Sequence, residues 1–108
     1  MTDQHLDLAE RLVDSGLDGK EARVILTLST GSPLKASEIG TLVGITRMDA
    51  YNTLRRLQDS GLVMATVDKP MRFTGLSIED VFQHLINREE QELRRLKAHL
   101  DEYSEESG

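Results

Sequence analysis

Residues 36–61 read ASEIGTLVGITRMDAYNTLRRLQDSG, and the spacing of stops and apolar positions in this stretch decides the fold. Ala36-Ser37 opens a helix of about two turns, with Ile39, Leu42 and Val43 as its apolar stripe, Ser37 as N-cap and Gly44 as its stop. Gly44-Ile45-Thr46 then connects tightly to a longer helix from Arg47 to Ser60. Thr46 is its N-cap, Asp49 occupies the third helical position, and Gly61 ends it. Two helices joined by about three residues form a helix-turn-helix.

Downstream, Leu62-Val63-Met64-Ala65-Thr66-Val67 is suited to a strand, Asp68-Lys69-Pro70 to a turn, and Met71-Arg72-Phe73-Thr74 alternates again. This predicts a β-hairpin directly after the second helix. Upstream, a helix is predicted over His5 to Ser15, with Leu8, Ala9 and Leu12 on one face, flanked by Leu6 and Val13, and stopped by Gly16. Another follows from Gly19 to Thr30 on Ala22, Ile25, Leu26 and Leu28, with Val24 between them, broken by Gly31-Ser32-Pro33. Helices, a helix-turn-helix and then a hairpin give the order of a winged helix, a mostly α fold whose small sheet closes the open side of the helical core.

After the hairpin, Ser77 caps a long helix with Asp80 three residues on, and neither Gly nor Pro interrupts residues 78–103. At about 1.5 Å per residue such a helix reaches roughly 39 Å, more than a core this small can cover. Phe82, Ile86, Leu93, Leu96, Leu100 and Tyr103 fall on alternating steps of four and three, with Glu89 standing in the seam. Val81, Phe82, Leu85 and Ile86 are assigned to the chain's own core. Leu93, Leu96, Leu100 and Tyr103 are assigned to dimerisation, together with Leu8 and Leu12 of the first helix, Glu89 setting register against Arg88 or Arg94 of the partner subunit. The division is a winged helix-turn-helix over 1–76 and a coiled-coil dimerisation helix with an acidic tail over 77–108, within one domain.

Composition narrows the function. A chain of 108 residues, 38% hydrophobic, carries one small core and not two lobes. Without Cys it has no disulfide or thiolate metal site, and His5, His84 and His99 are too far apart for a local metal motif. His84 and His99 read as surface residues. No apolar run approaches a membrane span and Met1 is followed by no signal peptide, so a cytoplasmic, nucleoid-associated protein is expected. No nucleophile with a neighbouring base and no phosphate-cradling Gly loop is present, so neither an enzyme nor a cofactor is expected. The net charge of -6 argues against nucleic acid, but its distribution does not. Residues 35–75 hold six basic and four acidic side chains, whereas 1–34 hold three and six, and 76–108 four and nine.

The chain resembles the winged-helix module of the TrmB family of archaeal transcriptional regulators. The residues that carry the likeness are Gly16-Leu17-Asp18-Gly19-Lys20-Glu21-Ala22-Arg23-Val24, Ala36-Ser37-Glu38-Ile39-Gly40 and Gly44-Ile45-Thr46-Arg47. They continue in Ala50-Tyr51-Asn52-Thr53-Leu54-Arg55-Arg56-Leu57, Gly61-Leu62-Val63 and Lys69-Pro70-Met71-Arg72-Phe73. The likeness spans about residues 8 to 100. The arginine-leucine and Gly-Leu-Val part is also similar to the MarR superfamily, and the Lys-Pro wing tips the balance to TrmB. Thr46, Met48-Asp49 and Gly75-Leu76-Ser77 depart from the family's usual residues. Longer members carry a C-terminal sugar-binding domain; the likeness here is to the DNA-binding module, and it implies an archaeal source.

With Ala50, Leu54 and Leu57 facing inward, a helical wheel puts Met48, Asn52, Arg55 and Arg56 outward, with Tyr51 on one flank and Asp49 on the other. Asn52 suits an adenine edge, Arg47 or Arg55 guanine, and Met48 a thymine methyl. Arg56, Lys69 and Arg72 suit phosphates, and Ser37 and Thr46 add contacts at helix N-termini. Two roles stand open for Tyr51, the core edge or DNA. Asp49 opposes DNA binding unless it pairs with Arg56 or accepts from a cytosine amino group. These residues predict a homodimer that binds double-stranded DNA with residues 47–60 in the major groove and the wing, 67–72, on the backbone. The alternative is a winged helix used only to bind protein. No polar cluster marks a pocket for a small-molecule effector.

Overall fold

The computed structural model describes residues 2–107, with side chains from 7 to 106, so the side chain of Leu6 lies outside the described residues. Five helices and one hairpin follow in the order α1 (Thr2–Asp14), α2 (Gly19–Leu28), α3 (Ala36–Val43), α4 (Arg47–Asp59), β1 (Val63–Ala65), β2 (Phe73–Gly75) and α5 (Ile78–Ser107). The helix-turn-helix, the hairpin and the long last helix are all present, and the fold is a winged helix.

Local chemistry sets most boundaries. Asp18 accepts from the Glu21 amide at 2.7 Å while Glu21 accepts from the Asp18 amide at 3.0 Å, so α2 begins in a reciprocal capping box. Thr46 caps α4 by accepting from the Asp49 amide, and Ser77 accepts from the Asp80 amide at the head of α5. Ser37 is not the cap of α3. The helix starts at Ala36, so the N-cap lies two residues earlier, at Lys35, and Glu38 accepts from the Lys35 amide at 2.9 Å. The turn between α3 and α4 rests on two glycines. Gly44 adopts φ 82°, and a Cβ on Gly40 would lie 2.9 Å from the Ile45 carbonyl oxygen. That contact lets the chain fold back within three residues.

The core is one cluster to which every element contributes. Leu12, Ala22, Val24, Leu28, Ile39, Ala50, Leu54, Leu57 and Val81 are fully buried, with Phe73 closing it from the sheet side. Each such Leu or Ile contributes about 1.5–3 kcal/mol of transfer free energy. Several assignments need correction. Leu12 is wholly inside this core and is unavailable to a dimer, since the turn Gly16-Leu17 folds α2 back over it. Leu42 faces solvent because α2 and α4 both pack on the Ile39–Val43 side of α3. Ile86 is half-exposed, although it directly follows Leu85, the last buried residue of α5, because the helix turns it away from the body. His84 is no surface residue. It is part-buried, with Nε2 2.7 Å from the Ser60 carbonyl oxygen, and so docks α5 on the end of α4.

The strands are shorter than the residue pattern suggests, three residues each, antiparallel, with Ala65 opposite Phe73 and Val63 opposite Gly75. Thr66 donates to the Arg72 carbonyl and its Oγ1 accepts from the Arg72 amide, which closes the ladder and leaves 67–71 as a loop. Pro70 has no amide to offer. On its other edge β2 is held by Leu34, whose amide and carbonyl both bond Phe73 at 3.0 and 2.8 Å. From Glu89 to Glu106 every side chain of α5 is exposed. The helix projects from the body, and the radius of gyration, 17.0 Å, exceeds the ~13 Å of a compact chain of about this length.

Candidate nucleic-acid interface

Burial of Ala50, Thr53, Leu54 and Leu57 fixes how α4 is rolled. At 100° per residue the opposite ridge carries Met48, Asn52, Arg55 and Asp59, all exposed. Arg47 and Tyr51 lie on the flank toward the wing, and Asp49 and Arg56 on the flank toward α2.

The two flanks differ in charge. On the α2 side, Arg56 stands 3.6 Å from Asp18 and 4.0 Å from Glu21 and donates to the Thr53 hydroxyl, and Lys20 stands 3.6 Å from Asp49. The partner of Asp49 is therefore Lys20 and not Arg56. On the wing side, a cleft of about 470 Å³ runs between α4, the first turn of α3 and the wing, lined by Lys35, Ser37, Arg47, Tyr51, Pro70 and Met71. Lys69, beside Pro70, extends from the wing tip, and Arg72 is half-buried at its base. The charged side-chain groups of Lys35, Arg47, Arg55, Lys69 and Arg72 have no carboxylate within 4.0 Å among the described residues.

Of the two roles open for Tyr51, the structure shows the core edge. The ring packs half-buried against the core edge, while its hydroxyl accepts from Arg55 Nη1 at 3.3 Å, with the Arg55 Cζ 6.0 Å from the ring centroid. The hydrogen bond from Tyr51, the electrostatic interaction with its phenol, and Asp59 on the next turn raise the Arg55 pKa above the ordinary arginine value. The guanidinium, charged as arginine is, is held beside the Tyr51 ring.

The structure brings Ser37, Arg47 and Tyr51 together along the cleft with the wing residues Pro70 and Met71, and sets Met48 beside Arg47 and Tyr51. Thr46, Asn52, Arg55 and Lys69 are exposed and Arg72 is half-buried. Arg56 is set apart, turned to acidic partners. Lys35 joins the cleft unforeseen. Its one signal in the sequence is position, a cation two residues before Ser37 and next to Leu34, the residue that pairs with the sheet. Among the described residues no group of three His, Asp or Glu converges as a metal site, and no helix is long and apolar enough to cross a membrane.

The family model described as sugar-specific transcriptional regulator TrmB matches residues 12–79 of this chain. Among solved structures, that of TrmBL2, an archaeal chromatin protein, superposes with a TM-score of 0.86 at 19% identity, covering 95% of this chain and 40% of its own. The transcriptional regulator Tm0710 from Thermotoga maritima gives 0.62 at 17% identity, over 92% of this chain and 74% of its own. The ST1889 protein from the thermoacidophilic archaeon Sulfolobus tokodaii gives 0.63 at 20%, over 81% and 97%. At these identities the likeness shows the fold alone, and this chain spans less than half the length of TrmBL2. No curated protein matches the chain.

Proposed function

The chain belongs to the TrmB family of transcriptional regulators, which are not enzymes, and from that premise we propose that it binds double-stranded DNA sequence-specifically as a homodimer. In this reading α4 enters the major groove, with Asn52 and Arg55 reading base edges, Arg47 reading a base or holding a phosphate, and Met48 against a thymine methyl. Lys35, Ser37, Thr46, Lys69 and Arg72 hold phosphates around it. Arg56 serves the body of the protein and not the duplex.

One observation carries this reading: among the described residues no cationic side chain on the wing side of α4 has a carboxylate within 4.0 Å, whereas Arg56 and Lys20 on the α2 side are matched. A face that only bound water would have no reason to sort its ion pairs in this way. Phosphate replaces the missing carboxylates, with release of counterions. The exposed seam of α5 supports the homodimer, which would hold two recognition helices for an inverted repeat with half-sites roughly 34 Å apart. Action on the nucleoid, in the cytoplasm, follows from the same reading.

Titration onto random duplex DNA at several salt concentrations, with the mass in solution measured alongside, tests it. Binding that weakens steeply as salt rises, by a dimer, is the expected result. A dimer that ignores DNA at low salt would overturn the DNA reading and leave the winged helix as a protein-binding module, for which the net charge of -6 then speaks.

A further inference from the structure

The free part of α5 presents Ile86, Leu93, Leu96, Leu100 and Tyr103 to solvent along one seam, all about half or more exposed, with the carboxylate of Glu89 inside that seam. Beside it run two flanks. One carries Glu90 and Lys97, the other Glu92 and His99. Within the helix Glu90 is 3.8 Å from Arg94 and Glu92 is 2.9 Å from Arg95, yet Glu89 and Lys97 have no ion-pair partner among the described residues. The unmatched anion early in the seam and the unmatched cation on the flank farther along come together when the second helix is reversed.

We propose that α5 pairs with α5 of a second copy in antiparallel orientation, in a single register. Ile86 faces Tyr103 of the partner subunit, Glu89 faces Leu100 of the partner subunit, and Leu93 faces Leu96 of the partner subunit. The two-fold axis passes between Arg94 and Arg95. In this register Glu90 stands beside Lys97 of the partner subunit and Glu92 beside His99 of the partner subunit. Lys97 of the partner subunit, one turn from its Leu100, also serves Glu89. The parallel alternative sets Glu89 against Glu89 of the partner subunit inside the seam, two like charges with no cation between them. Antiparallel slippage by one heptad sets Glu90 against Glu90 of the partner subunit, and Glu92 likewise. Charge therefore selects one arrangement out of three that bury the same leucines.

The open end of the body fits this partner. A cleft at the root of α5 has an apolar floor of Phe82, Leu85 and Ile86 under the carboxylates of Asp14, Glu89 and Glu90. The reversed helix lays Tyr103 of the partner subunit against Ile86 at this cleft, and its Lys97 at the acidic rim. The proposal rests on the homodimer reading above and adds direction and register to it.

The absence of cysteine makes the test clean. Single variants I86C and Y103C, at exposed positions, are oxidised separately and after subunit exchange between them, with the mass of each measured under reducing conditions. The expected result is a crosslinked pair from the mixture and from the double variant I86C/Y103C, and none from either single variant. Crosslinking of a single variant with itself would establish parallel helices and overturn the proposal. So would a dimer that crosslinks in no combination. A monomeric mass would overturn the homodimer reading as well, while leaving DNA binding by the single chain to stand. Charge reversal gives a second readout: K97E weakens the dimer about tenfold and E90K/K97E restores it. Restoration by E92K/K97E in its place would mark parallel pairing and overturn the register.

Discussion

The Arg56 guanidinium stands 3.6 Å from the carboxylate of Asp18, and that same carboxylate caps α2. One acidic residue thus caps one helix and holds a side chain of another, and Arg56, the most conspicuous neighbour of Arg55 in the sequence, is turned toward α2. Both groups are about half exposed, so solvent screens the pair and its contribution to stability is small.

The consequence for DNA binding is a contrast within one helix. Arg47→Ala and Lys69→Ala are each expected to reduce the slope of log affinity against log salt by about 1, as for loss of one phosphate contact. Arg56→Ala should leave that slope unchanged. Fluorescence anisotropy on random duplex at four salt concentrations decides it, and an equal loss for Arg56 would refute the assignment.

Arg55 is expected to behave as a base reader. Once an operator has been selected from a random pool, Arg55→Ala should cost about 1–3 kcal/mol on it and much less on random DNA. Tyr51→Phe keeps the ring in its place and removes the hydroxyl acceptor, so it should lose several-fold on the operator with an unchanged melting temperature. A uniform loss on both DNAs would reassign Arg55 to phosphate.

Gly40→Ala should lower stability by about 1–3 kcal/mol, because the new methyl would meet the Ile45 carbonyl oxygen at 2.9 Å. Helix propensity alone predicts the opposite, a gain of up to about 1 kcal/mol. Urea denaturation therefore separates the two by sign.

Ending the chain after Arg88 removes, among the described residues 89–106, only exposed side chains of α5. The shortened protein should melt cooperatively and sediment as a monomer, while affinity for an inverted-repeat operator falls by about a hundredfold or more as the second attachment is lost. A dimer of unchanged affinity would place the interface on the body.

The fold was legible because its signals are local. Thr46, Gly44, Gly61 and Ser77 mark boundaries through their own caps and backbone angles, and the inward set Ala50, Leu54 and Leu57 follows from period alone. What periodicity could not reveal is which of two exposed arginines meets a carboxylate from another helix. Arg55 and Arg56 look alike in the sequence, and Asp18 lies far upstream. Lys35 was missed for a related reason, since its place on the face depends on Leu34 joining the sheet. His84, similarly, is docked by a carbonyl of Ser60, which no spacing rule anticipates. Leu42 shows the limit of a stripe read from a two-turn helix, where one apolar residue is enough to mislead about which side faces the core.

The paired hydrogen bonds of Leu34 with Phe73 have a mechanical meaning. They tie the base of the wing to the segment that feeds α3, so the wing and the N-terminal turns of α3 and α4 are expected to act together as a caliper on DNA. A caliper of fixed opening measures what it closes on. Duplexes whose groove width or curvature already fits it bind without deformation, and others must bend at an energetic cost set by their own stiffness. Selectivity should then extend to base pairs between the contacts that no side chain touches.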